Sequence, residues 1–181
     1  MSSFITPEIA FLKSQNQVQE VKELNTVSIL ISFIFGFGIY FMLNTFGSSY
    51  LGTQLANSPF SSNCLTYLTY RSLSIPFALV NNTIFATLRG LLLFKTAFRL
   101  NLVSQIVNLV LDPLMIQSMG LKGAAIASTI ADIICTCQYL IFLKYHDYLS
   151  AQASNVGKYL KKIFNTGLLI QIRNIAIKVS Y

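Results

Sequence analysis

Charge is what this chain has least of. Only 10% of its 181 residues are Asp, Glu, Lys or Arg, against 54% hydrophobic residues and a mean hydropathy of +0.59. So little polar surface excludes a water-soluble globule of this size and makes lipid the expected solvent. Cysteine is scarce as well. Cys64, Cys135 and Cys137 make no disulfide framework, because the last two stand two residues apart in a helical segment and point in different directions. They read as small packing residues, with no metal site among them. Also missing are a Gly-rich phosphate cradle, a nucleophile with its base, and a His/Cys/carboxylate ligand set, so an enzyme is not expected. The opening residues carry Glu8, Lys13, Glu20 and Lys22 and lack the basic start, apolar middle and small-residue cleavage site of a signal peptide. The net charge of +7 does not point to nucleic acid, since the basic residues are scattered between apolar blocks and never gather with aromatics on one polar surface.

What the chain does have is long apolar runs. Four follow one another over residues 24–46, 65–93, 98–119 and 121–143. At about 1.5 Å per residue each is long enough to cross a hydrocarbon core of roughly 30 Å as a helix. None shows the short alternation of barrel strands, so the fold class expected is an all-α, polytopic integral membrane bundle. A polar linker over 144–162 follows, and residues 163–181 start a fifth, similar helix that contains Arg173 and Lys178. The Gly47-Ser48-Ser49 cluster and Pro59 mark the first connection, and Met119-Gly120 a tight turn. With loops assigned alternately to two sides, one side collects Lys13, Lys22, Arg89, Lys95, Arg99, Lys144, Lys158, Lys161 and Lys162, and the other only Arg71 and Lys122. That bias sets the N-terminus and the linker on the cytoplasmic side, or the stromal or matrix side of an organelle. The linker with its Lys161-Lys162 pair suits an interfacial amphipathic helix.

Several polar residues stand where lipid should not tolerate them. Ser104, Asn108 and Asp112 recur every four residues along one face of the third run. A carboxylate at this depth costs several kcal/mol unless protonated, paired or hydrated. Asn108, one turn away, can set a carbonyl oxygen beside it, which suits Na⁺ or a shared proton; an Asp112 that bonds a neighbouring helix end is the structural alternative. Pro113 removes a helix hydrogen bond beside the acid. In the fourth run Gly123, Ala127 and Ala131 make a packing face of small residues, and Asp132 either lies against it or pairs with a basic residue on a missing helix. Arg71 and Arg89 lie near opposite ends of the second run, where long side chains snorkel to headgroups. Asn81-Asn82-Thr83 matches a glycosylation acceptor but sits mid-span, where it reads as polar lining or interhelical glue. His146 stands alone beside Asp147 as a solvated linker residue.

Three motifs in register carry a resemblance: Tyr70-Arg71-Ser72-Leu73-Ser74-Ile75-Pro76 leading to Leu88-Arg89-Gly90, then Asn108-Leu109-Val110-Leu111-Asp112-Pro113, then Gly120-Leu121-Lys122-Gly123-Ala124-Ala125-Ile126-Ala127. In this order they resemble the MATE (multidrug and toxic compound extrusion) family, nearest to its DinF-like and plant plastid DETOXIFICATION branch. Residues 3–8 resemble the end of that family's second helix and 167–173 the start of its seventh. The resemblance therefore implies helices three to six, most of the first lobe of a twelve-helix, two-lobe transporter. It implies cation-coupled antiport, H⁺ or Na⁺ inward against an organic solute outward, with no other cofactor. By motif position Asn108 and Asp112 match polar residues of the first-lobe cation site, and Ser128 or Thr129 falls near its sixth-helix hydroxyl. The first-helix acid that completes that site is absent from these residues.

Arg89, Asp132, Asn81 and Asn82 are left as substrate-pathway or structural residues. After Arg89-Gly90 the chain departs from the family, reading Leu91-Leu92-Leu93-Phe94-Lys95-Thr96-Ala97 where a polar, proline-containing turn is common, and Asp132 replaces a position usually uncharged. The expected partners are the bilayer, a small organic solute and the remaining helices of a full-length transporter; the expected site is a plasma or plastid membrane. The readings of other classes are a non-transporting membrane structural or interaction subunit, or an inactive remnant, and a lipid flippase of the wider superfamily.

Overall fold

The computed structural model describes residues 2–47, 49–50, 53, 61–150, 157, 159–163, 165 and 167. Its elements are α1 (Ser2–Ser14), α2 (Val18–Met42) running into a π-helical turn (Leu43–Gly47), α3 (Ser61–Ser72), α4 (Ile75–Gly90), α5 (Phe94–Met119) and α6 (Leu121–Tyr145). No strand occurs among the described residues. Among the described residues three stretches are long and apolar enough to cross a membrane: Val18–Gly47, Phe94–Met119 and Leu121–Tyr145. The chain is an all-α, multi-pass integral membrane protein.

The second run expected from sequence, residues 65–93, is not one helix. It breaks at Leu73 and Ser74 into α3 and α4. Pro76 stands at the break: it has no N–H for the Ser72 carbonyl, and its ring fits best in the first turn of a helix, where it stands in α4. Ser74 covers the break, its backbone N–H and its hydroxyl both donating to Arg71 O, at 3.2 and 2.8 Å. The other expected limits move less. The first helix starts at Val18 rather than at residue 24, the third at Phe94 rather than 98, and the fourth runs on to Tyr145. Of the fifth run, Ile163, Asn165 and Gly167 are helical, while residues 168–181, with Arg173 and Lys178, lie outside the described residues, as do residues 54–60 of the first loop.

Helix ends are made by single residues with left-handed backbone: Asn16, Leu92 and Asp147, with φ of 57, 61 and 56°, and Gly120 at 61°. After α4, Leu93 N–H reaches Leu88 O at 2.9 Å and Leu92 N–H reaches Arg89 O at 3.0 Å, the paired bonds of a Schellman ending. The same pair closes α1, through Gln17 to Leu12 and Asn16 to Lys13, and α6, through Tyr148 to Leu143 and Asp147 to Lys144. Asn and Asp enter this conformation with modest penalty; a leucine does not. The apolar 91–97 segment therefore makes a three-residue turn, with Leu92 where glycine is usual.

The chain divides into two compact units. The first comprises Met1–Ile31, Asn82–Ala97 and Ile141–Tyr181. Its core holds Phe4, Ile5 and Ile9 of α1, Leu24 and Val27 of α2, Ala86 of α4, and Tyr159 and Ile163. Gly90 lets α1 press onto α4, since a Cβ there would meet Thr6 O at 2.7 Å. Lys13 Nζ donates to Leu91 O at 2.6 Å, a cation at a helix C-terminus. Behind α6, Asn25 Nδ2 donates to Tyr148 O at 3.0 Å, Ser150 N–H donates to Thr26 Oγ1 at 3.0 Å, and Lys22 pairs with Asp147. Further on, Lys162 pairs with Glu8, and Tyr159 OH donates to Glu23 Oε2 at 3.3 Å. Burial, then the charges of Glu23 and Glu20, push the Tyr159 phenol up to about 12.

The second unit comprises Ser32–Asn81 and Phe98–Leu140. Gly36 of α2 lies against Pro76, where a Cβ would come within 2.5 Å of its Cα. Asn44 Nδ2 donates to Ser72 Oγ at 2.9 Å, tying the π-helical turn to the end of α3. Gly123, Ala127 and Ala131 are buried, as their spacing predicts, and a Cβ on Gly123 would overlap Met115 O at 2.0 Å.

Leu92→Gly is expected to stabilise the protein by about 1 kcal/mol by relieving the left-handed leucine, and Gly123→Ala to cost about 1–3 kcal/mol through overpacking. Denaturant unfolding in micelles measures both. Tyr159 is neutral in both folded and unfolded states below an unfolded pKa of about 10. Its docking therefore holds full strength there and weakens as pH rises toward 12, a loss that Tyr159→Phe should abolish when followed by limited proteolysis of the linker.

Candidate functional site

Helix α6 presents two differently used faces. On one, Ser104 Oγ of α5 donates to Ala131 O at 2.8 Å, and near the turn Gly123 meets Met115, so the two helices run antiparallel in close register. Asn108 and Asp112 fall between those two contacts on α5, and Ser128 stands one turn before Asp132 on α6. Asn108, Asp112 and Ser128 are all half-buried. The Oδ1 atoms of Asn108 and Asp112 are fully buried and accept no hydrogen bond among the described residues. Two acceptors left so, one turn apart on one helix, are costly in an apolar setting.

The other face of α6 turns to α3 and α4. Thr129 Oγ1 lies 2.8 Å from Ala125 O and 3.5 Å from Tyr70 O, so its hydroxyl is engaged toward α3. Arg71, expected to snorkel, instead turns inward: its Nη1 donates to Ser74 Oγ and lies 3.3 Å from Asp132 Oδ2. Asp132 thus finds its cation within this chain. Asn81 Nδ2 donates to Asp132 O at 2.9 Å, and Thr136 Oγ1 stands within 2.9 Å of both Asn81 Oδ1 and Asp132 O. Asn81 is interhelical glue at the foot of the pair. Asn82 and Arg89 are exposed, and Arg89 lies over the Phe85 ring at 6.0 Å. Neither joins the other site residues.

Beside the helix break lies a cavity of about 560 Å³, lined by Leu43, Cys64, Tyr67, Leu68, Arg71, Ser72, Ser74, Ile75, Ala78, Leu79 and Leu121. Sequence reasoning did not anticipate it. The signal was present in Pro76 together with Arg71, a charge two residues before the break, but the cavity depends on how separate segments pack.

Apolar spans and close helix contacts at small residues define a multi-pass membrane protein. Residues 1–114 match the family model described as MatE, and the chain belongs to this family. It is similar to Protein DETOXIFICATION 43 of Arabidopsis thaliana, 32% identical over 126 residues, which cover 67% of this chain and 23% of that relative. The chain thus spans under a quarter of the length of the curated relative it matches. No solved structure matches it.

Arg71→Gln should destabilise the protein by about 1–3 kcal/mol, because Asp132 is then left without its partner, and the double variant Arg71→Gln/Asp132→Asn should recover most of that loss. Thermal unfolding of the single and double variants measures it; additive losses would show that the two side chains do not interact.

Proposed function

We infer that this chain is part of a cation-coupled antiporter that exports organic solutes, drugs or metabolites across a membrane, driven by inward H⁺ or Na⁺. The observation that carries this reading is the pair of buried, unpartnered oxygens of Asn108 and Asp112 on a membrane-spanning helix. Intramembrane carboxylates that lack a protein partner mark ion pathways. In this reading Asp112 holds the proton or cation, Asn108 supplies a second oxygen, and the Ser128 hydroxyl on the facing stretch of α6 completes the shell, with Thr129 steadying α6 against α3. The remaining helices of the full-length transporter supply the other lobe and the rest of the chamber, and alternating access comes from rocking of the lobes. The excess of Lys and Arg on one set of connections sets the N-terminus on the cytoplasmic or stromal side, in a plasma or plastid membrane.

Asp112→Asn in the complete protein is expected to abolish efflux driven by an imposed H⁺ or Na⁺ gradient while leaving membrane insertion intact, and Asn108→Ala to lower it about tenfold or more. Transport into proteoliposomes under each gradient in turn is the measurement. Unchanged efflux in Asp112→Asn removes that residue from the mechanism.

A further inference from the structure

The cavity beside the α3–α4 break combines two properties that select a ligand class. Its walls are almost wholly apolar, formed by Leu43, Tyr67, Leu68, Ile75, Leu79 and Leu121. Its charged group is Arg71, whose side chain is 41% exposed despite the bond to Asp132. Both recorded bonds of this guanidinium leave from Nη1. The Nε–Nη2 edge therefore makes no hydrogen bond among the described residues. That edge is a planar fork of parallel N–H groups, the geometry that grips a carboxylate or phosphate with two bonds. Asp132 does not saturate the cation: its contact at 3.3 Å is longer than the roughly 2.7–2.9 Å of a strong charge-assisted bond, and a guanidinium can serve two anions on separate edges. Ser72 and Ser74 do not compete for a head group, since both hydroxyls donate to backbone carbonyls of α3, Thr69 O and Arg71 O. A volume of about 560 Å³ falls in the range of small-molecule sites, which pair apolar walls with a few placed polar groups.

We propose that this cavity binds an anionic amphiphile, its acyl chain lying along Leu68, Ile75 and Leu79 and its carboxylate or phosphate head on the Nε–Nη2 edge of Arg71. The site is distinct from the Asn108–Asp112 pair and stands whether or not that pair couples transport. Its head-group chemistry is shared by a free fatty acid and an anionic bilayer lipid.

The test uses the chain reconstituted in phosphatidylcholine nanodiscs and titrated with cis-parinaric acid, read by fluorescence, with the parinaric methyl ester as the uncharged comparison. The acid is expected to bind saturably and about tenfold more tightly than the ester. Arg71→Gln should bring the acid down to the ester. Arg71→Lys keeps a cation for Asp132 but loses the fork, so it should give an intermediate affinity with helicity by circular dichroism unchanged. Ala78→Phe, which puts a ring into the cavity and leaves Arg71 in place, should abolish binding of both probes. Displacement by phosphatidylglycerol in the nanodisc assigns the head to a bilayer lipid; displacement by palmitate alone assigns it to a free acid. Equal affinity for acid and ester, or unaltered binding in Ala78→Phe, overturns the proposal, and the second result would leave the cavity to packing by further polypeptide.

Discussion

A polar group inside a membrane helix has no water to bond, so it must be satisfied by protein, and this requirement organises the whole bundle. Asn25 shows how it works. Fully buried, it donates to Tyr148 O and lies 3.0 Å from the Thr87 hydroxyl, so one amide ties the segment after α6 to both α2 and α4. Asn81 repeats the arrangement with Asp132 and Thr136. Each bond contributes little relative to a hydrated alternative, but in an apolar interior the cost of leaving one unmade is larger than the gain of making it. Registers between helices are therefore set by polar side chains more than by the apolar ones around them, which pack equally well against lipid.

The same requirement makes the few unsatisfied groups informative. Near the Asn108–Asp112 pair, Ser104 bonds Ala131 O, Thr129 bonds Ala125 O one turn back, and Asp132 has Arg71. The Oδ1 atoms of Asn108 and Asp112 accept no hydrogen bond among the described residues, a state shared there by Ser28 Oγ and Gln138 Oε1. The broken span follows a related logic. Pro76 removes one helix bond, and the Ser74 hydroxyl, the Arg71 carbonyl and the Arg71 guanidinium reorganise around the gap. Arg71, expected at the headgroups, instead pairs with Asp132 and lines a cavity beside the break.

Much of this was legible in residue order. The apolar runs foretold the helices, Met119-Gly120 the tight turn, Gly123, Ala127 and Ala131 the packing face, and three motifs in register the family. The break at Leu73 and Ser74 was readable from Pro76 but was masked by the unbroken apolar character of residues 65–93, because hydropathy measures solubility in lipid and carries no record of a missing N–H. The pairing of Asp132 with Arg71 was not readable at all. The two lie on different helices, 61 residues apart in sequence, and only the folded arrangement brings the guanidinium within reach.

Composition and periodicity alone determined that this is an all-α membrane protein, because the free energy of putting so apolar a chain into lipid is a sum over residues and does not depend on how they are arranged. The tertiary structure decided which buried polar groups are partners and which are left open. That is a matter of direction and of fractions of an ångström: Gly36 against Pro76, Gly123 against Met115, and Arg71 lining an apolar cavity are relations between helices that no single stretch of sequence contains. The opening feature, a chain with few charged residues, thus acquires its meaning in the fold, where Arg71, Asp132, Asn25 and Asn81 are held by partners on other helices.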